Sequence, residues 1–181
     1  MKIYTKKGDS GSTGLLFGGR TKKDTFRIEL NGAVDHAQAC LGYARALALN
    51  NVRLDSILIL AERDLWVLMA EVATLDKNRS KLEPNISLVT KDMVSRLESE
   101  IDEVMGHFEM PTSFVVPGAN VVSAALDIAR TVIRTAERRS VAFVEATPES
   151  LVGVYLNRLS DLVWALARWV EDTHLFAKDV Q

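Results

Sequence analysis

The residues best suited to do chemistry lie in one stretch, LDIARTVIRTAERRS. At helical spacing Arg130, Arg134, Glu137 and Arg138 share about a third of the circumference. Val122, Ala125, Ala129, Val132 and Ala136 fall on the other sides, where they can pack. A solvated charged face is the ordinary reading of such a stripe. Two features weigh against it. Arg130 and Arg134 are like charges four residues apart, which repel on an isolated helix. The stripe also uses arginine, whose planar fork suits bidentate contacts to phosphate or carboxylate. A second face lies in YLNRLSDLVWALARWV, where Asn157, Asp161, Trp164 and Arg168 align within a mostly apolar helix. That pattern fits either a buried polar ladder or a ligand-binding face. A third face carries Asn31, Asp35, Gln38 and Gly42. Asp35 has Ala39 at i+4, so if buried it needs a cation from elsewhere.

Residues 4–24, YTKKGDSGSTGLLFGGRTKKD, have almost no apolar period. GDSGSTG is not a Walker A loop, because no Lys-Ser/Thr follows the glycines. It is not G-x-G-x-x-G either, and no βαβ unit surrounds it. Its composition still suits an anion cradle: glycines let consecutive N–H groups converge, while hydroxyls and lysines add donors. A disordered tail is the rival reading. The segment is expected to act as a lid, loose until a polyphosphate arrives.

Long helices must position these faces. Five are expected: about 27–49, ended by Asn50-Asn51; about 54–76; one from Thr90 as N-cap with the stripe Val94, Leu97, Ile101, Val104 and Phe108; about 119–143; and one from Thr147, with Pro148 at its first position, to about Phe176. No strand pair stands out. The expected fold is all-α, a five-helix up-and-down bundle over 25–181 behind a nucleotide-binding lid over 1–24. The chain has 181 residues and a net charge of −2, so no global basic field favours nucleic acid. A single cysteine, Cys40, excludes an internal disulfide framework and a Cys-type zinc site. No apolar run follows Met1 as in a secretory signal, and none approaches 18 residues. A cytoplasmic location without membrane partners is the expectation.

The ordered segments YTKKGDSGSTGLLFGGR, GAVDHAQACLG, LESEID, FVVPGAN, ARTVIRTAERR and YLNRLSDLVWALAR resemble the PduO-type ATP:cob(I)alamin adenosyltransferases. The resemblance spans essentially the full chain. It implies a homotrimer of five-helix bundles with active sites between subunits. It also implies transfer of the 5′-deoxyadenosyl group of ATP to the cobalt of cob(I)alamin, with release of triphosphate. By resemblance, Thr5, Lys6, Lys7, Gly8 and Thr13 wrap ATP and Lys23 reaches its phosphates. Arg134, Glu137 and Arg138 hold phosphates, ribose or magnesium, and Asn157 binds the nucleotide. Asp35 meets Arg130 across the subunit boundary, and Phe114 lies beneath the corrin. A reductase or an adenosylcobalamin-dependent enzyme is the implied protein partner.

Some positions depart from the family pattern. Thr135 stands where a second arginine is usual, and Asp127 where a histidine is common. His36, Ala37 and Gln38 replace the Glu, Leu and Asn of VDELNS. These departures motivate an alternative, a non-catalytic ATP-binding paralogue that senses or delivers a cobalamin. Two other classes fit poorly. A di-iron bundle needs paired Glu-x-x-His motifs, and His36, His107 and His174 lack that context. A cobalamin carrier with Asp-x-His-x-x-Gly is approached by DTHLFA, but that run ends in Ala177 and no α/β domain surrounds it. His174 is read as a tail residue.

Overall fold

The computed structural model describes residues 3–49 and 51–180. Five long helices form: α1 (Phe26–Leu47), α2 (Val52–Val72), α3 (Lys91–Met105), α4 (Val121–Ala146) and α5 (Val152–Trp169). They pack in the order α2, α1, α4, α5, α3, with α5 also touching α2. The mostly apolar α5 therefore sits centrally, as its composition requires. The core is built from Leu30, Leu41, Leu65, Ile133, Phe143, Leu159 and their neighbours, all fully buried. Burying each such large side chain contributes about 1.5–3 kcal/mol. Among the described residues no helix is long and apolar enough to cross a membrane.

Local chemistry sets the helix ends. Asn51 begins α2, its side chain accepting from the Leu54 N–H at 3.0 Å. Asn50 lies outside the described residues. Thr90 caps α3 as expected, but α3 stops at Met105. Phe108 therefore packs from the following turn, with its ring edge-on to Trp164 at 6.4 Å. Asn120 and Ser123 form a reciprocal capping box that starts α4.

Three sequence expectations are corrected. Thr147 terminates α4, and α5 begins at Val152 after a Pro148–Ser150 turn, because the Thr147 carbonyl accepts from Ser150. The fifth helix ends at Trp169, not Phe176, because the chain beyond it runs extended and pairs with the 114–116 loop. α2 also ends early, and Asp76–Lys81 forms a separate 3-10 helix.

A strand pair is present where none was expected. β1 (Ser12–Gly14) and β2 (Arg20–Lys22) form an antiparallel hairpin. Its tip passes through positive φ at Phe17, Gly18 and Gly19. Gly19 holds a φ of 99°, which strains any side chain, and a Cβ there would also lie 2.8 Å from Leu75 Cδ1. The Leu16 N–H donates to the Ala73 carbonyl at 2.9 Å, and Lys81 lies over the Phe17 ring. The hairpin is thus fastened to the end of α2, although its sequence offers little to bury.

Candidate functional site

The Gly-rich segment is shaped by one arginine. Arg20 Nη2 donates to the Lys7 carbonyl at 2.6 Å, the Ser12 carbonyl at 3.1 Å and Ser12 Oγ at 2.7 Å. Inside that loop the Gly8 carbonyl accepts from the Gly11 N–H, and the Lys23 N–H donates to the Gly11 carbonyl. Lys6 sits at φ 58°, in the left-handed region. Lys23 Nζ lies 3.3 Å from where a Gly8 Cβ would stand, so a side chain there would crowd the ammonium. Thr5, Lys6 and Lys7 are exposed.

Below the loop is a cavity of about 370 Å³ lined by Thr13, Gly14, Lys23, Asn31, Gly32 and Asp35, among others. Asn31 Oδ1 is buried there without a hydrogen-bond partner. A buried unpaired carbonyl oxygen costs about 1–3 kcal/mol, so the position favours a ligand donor. Asp35 is exposed in the single chain. Of its helical companions, Gln38 donates to the Glu62 carbonyl on α2 at 2.7 Å.

The α4 face forms a second group. Arg134 and Arg138 are exposed, and Glu137 is half-buried. Asn157 on α5 donates from Nδ2 to Glu137 Oε1 at 2.8 Å, which explains the coincidence of the two polar faces. Thr135 accepts from Arg138 Nη2 at 3.0 Å, so the departure from arginine there supplies a rest for its neighbour. Arg139, rotated away, reaches Glu29 of α1 at 3.4 Å. None of Arg130, Arg134, Glu137, Arg138, Asn157 or Phe114 lines the Thr13–Asp35 cavity. Within one chain the two groups are therefore separate.

A third group surrounds Arg130 and Phe114. Arg130 Nε donates to Asp127 Oδ1 at 3.0 Å. Both line a cavity of about 300 Å³ with Pro117, Gly118, Ile128 and Thr131. Phe114 is 74% exposed on the loop leading to this cavity.

Sequence reasoning missed the charge cluster behind Arg130. Arg168 is 2% exposed and donates to Asp127 Oδ2 at 2.7 Å and to Glu171 through Nε and Nη2 at 2.8 and 2.9 Å. His174 Nδ1 lies 2.9 Å from the same Glu171. Burial opposes the charge on Arg168, but hydrogen bonds and charge from Glu171 and Asp127 outweigh it, raising the guanidinium above its ordinary value. The signal was available: an arginine in an apolar helix demands a partner, and Glu171 stands at i+3. Arg20 was also missed, because nothing in its spacing predicts its contacts across a hairpin. Cys40 takes no part, and burial pushes its thiol up and away from reactivity.

Among the described residues no group of three His, Cys, Asp or Glu side chains could cage a metal. A divalent cation would have to be shared between a single carboxylate and ligand phosphates, a binding mode natural to magnesium. Glu137 would take that part through the oxygen that Asn157 does not hold, and only with phosphates present to offset the flanking arginines.

The fold is thus a five-helix bundle with a cationic glycine-rich loop in one group of residues and an arginine face in another. The cobalamin adenosyltransferase family pattern matches residues 3–170, and the chain belongs to that family. The corrinoid adenosyltransferase of Mycobacterium tuberculosis is 36% identical over 170 residues, covering 92% of this chain and 87% of that protein. The corrinoid adenosyltransferase of Bacillus subtilis is 35% identical over 174 residues, covering 94% and 86%. The corrinoid adenosyltransferase PduO of Salmonella typhimurium is 36% identical over 170 residues, and this chain spans about half of it, 49%. Among solved structures, a phenylalanine-to-histidine variant of a PduO-type ATP:corrinoid adenosyltransferase from Lactobacillus reuteri, complexed with cobalamin and ATP, superposes with a TM-score of 0.85. It is 26% identical, covering 99% of this chain and 98% of that one.

Proposed function

We propose that this chain transfers the 5′-deoxyadenosyl group of ATP to the cobalt of cob(I)alamin. The observation that carries the reading is the pair of half-sites on one chain, a cation-bearing glycine loop and an arginine–glutamate–asparagine face, in a member of this family. The half-sites complement each other across a boundary between copies, so the chain works as a homotrimer with shared sites. Asp35 of one copy then meets Arg130 of the next.

The chemistry needs no nucleophile from the protein. Cobalt(I) supplies an electron pair to C5′ of ATP, the Co–C5′ bond forms, and the C5′–O bond breaks. Triphosphate leaves with the bonding pair, and no proton transfer is required. The protein therefore positions C5′ and stabilises charge on the departing phosphates. Thr5, Lys6, Lys7, Gly8 and Thr13 wrap the nucleotide, and Lys23 reaches its phosphates. Arg134 and Arg138 face the developing negative charge, while Asn157 steadies Glu137 and contacts the nucleotide. Magnesium, held by Glu137 and the phosphates, would neutralise part of the triphosphate charge. Phe114 covers the lower corrin face with an apolar ring that offers cobalt no lone pair. The chain works in the cytoplasm, with a reductase that supplies cob(I)alamin or an adenosylcobalamin-dependent enzyme that takes the product as its protein partner.

The test is anaerobic mixing of protein, ATP, magnesium and chemically reduced cobalamin. The spectrum of adenosylcobalamin is the expected result. Nucleotide binding without that product would overturn the enzyme in favour of a non-catalytic sensor or carrier.

A further inference from the structure

Phe114 is unusual in how it is held. Its ring is 74% exposed, so packing within the chain does little to fix it. Its backbone is fixed on both sides by one segment. The Ala177 N–H donates to the Phe114 carbonyl at 3.0 Å, and the Val116 N–H donates to the Leu175 carbonyl at 2.8 Å. Between these bonds Val115 pairs antiparallel with Phe176 and is 6% exposed. Neighbouring side chains on extended backbone point to opposite faces, so burying Val115 turns Phe114 outward. The strap over residues 174–177 therefore sets the direction of the ring.

Something must in turn hold the strap, because it follows the end of α5 and makes no helix until Ala177–Asp179. The buried charge cluster sits at its root. His174 meets Glu171, Glu171 is clasped by Arg168 through two nitrogens, and Arg168 reaches across to Asp127 on α4. The far end of the loop is tied to the same place, because Asn120 Nδ2 donates to the Val170 carbonyl at 2.8 Å. The other oxygen of Asp127 holds Arg130. One continuous chain of charges thus runs from Arg130, which lines the 300 Å³ cavity, to His174 at the root of the strap that holds the Phe114 backbone.

We propose that Arg168, Glu171 and His174 are positioning residues for Phe114, acting through the 174–177 strap. The proposal rests on the reading of Phe114 as the ring beneath the corrin. His174 is the member to change, since its side chain lies at the rim while Arg168 and Glu171 are buried. Removing either buried charge would threaten folding instead.

The experiment uses full-length His174→Ala, with His174→Gln as the variant that keeps a donor for Glu171. Hydrogen exchange is read at the Val116 and Ala177 amides, with Leu65 and Leu68 of α2 as internal controls. Adenosylation is measured from chemically reduced cob(I)alamin and from cob(II)alamin with a mild one-electron reductant such as reduced flavin. In His174→Ala, exchange should quicken about tenfold at the two strap amides and stay unchanged in α2. Turnover from cob(II)alamin should fall about fivefold or more, turnover from cob(I)alamin less than about twofold, and the ATP KM should not move. His174→Gln should recover most of both losses. Unchanged strap exchange, or equal losses in the two assays, would overturn the positioning role. A wild-type protein inactive in both assays would instead overturn the proposed function, and the positioning role with it.

Discussion

Asn157 donates from Nδ2 to Glu137 Oε1 at 2.8 Å while its own Oδ1 accepts from Arg158 Nη2 at 2.5 Å. The two bonds fix which way the amide faces and hold one oxygen of the carboxylate. Asn157→Ala leaves Glu137 without that support and, on the proposed function, removes a nucleotide contact. The ATP KM should rise about tenfold, the scale of one charge-assisted hydrogen bond. Steady-state kinetics check it, and an unchanged KM would remove Asn157 from the site.

Arg134 and Arg139 make a controlled pair. Arg134 is exposed and enters none of the ion pairs among the described residues, whereas Arg139 is engaged with Glu29 on α1. Arg134→Ala should cost about 2–4 kcal/mol of transition-state stabilisation, the scale of a preorganised electrostatic donor. Arg139→Ala should cost far less, since an exposed ion pair is worth about 0–1 kcal/mol. Comparable losses in kcat/KM would show that the face is wrongly assigned.

Assembly is tested by mass. On the proposed trimer with shared sites, light scattering at micromolar concentration should give about three times the 20.0 kDa of one chain. Asp35→Arg should set like charges against Arg130 across the boundary and shift the mass towards monomer. A wild-type monomer would rule out the shared site.

Arg20 replaces helical packing as the organiser of the glycine loop. Amides of residues 7–12 should exchange quickly without nucleotide and slow when ATP is added. In Arg20→Ala they should exchange faster still, and the ATP KM should rise. Equal protection with and without ATP in the wild type would refute the lid.

Tyr155 gives a pH signature. It is buried, its hydroxyl donates to Asp64 at 3.1 Å, and desolvation followed by the Asp64 charge raises it well above the ordinary 10.0. A raised folded value means that its stabilisation is complete below about pH 10 and is lost as pH climbs through the folded value. Urea melts of the wild type should therefore weaken steeply above pH 10. Tyr155→Phe should be less stable at pH 8 and lack that added alkaline slope. Parallel pH profiles for both proteins would contradict the assignment.

The helices were legible because their apolar periods are long, and Thr90 was legible as a cap, whereas Asn120 reads as lying inside its helix and Thr147 at the wrong end of one. The Arg134, Glu137 and Asn157 faces were legible because helical spacing alone brings such residues together. The hairpin was not, because Ser12–Gly14 and Arg20–Lys22 carry no alternating apolar residues and are held by backbone bonds and Arg20. Residues 170–177 read as helix because Trp169 and Leu175 continue the apolar pattern. The chain turns there to give the 114–116 backbone its partners, a tertiary demand that no local period encodes.

The packing of α1 chiefly against α4 has a consequence during synthesis. When Leu47 emerges from the ribosome, the helix meant to cover its apolar face does not yet exist. Some hundred residues separate it from Ala146, and at bacterial-like elongation rates that gap lasts on the order of 5–20 s. Of its two main packing partners, α4 and α2, just α2 has emerged in the meantime. The apolar surface that α4 will cover then stands open to other polypeptides, including copies on the same polysome. Rare codons between α2 and α4 should therefore lower the yield of native protein more than the same codons placed after α4.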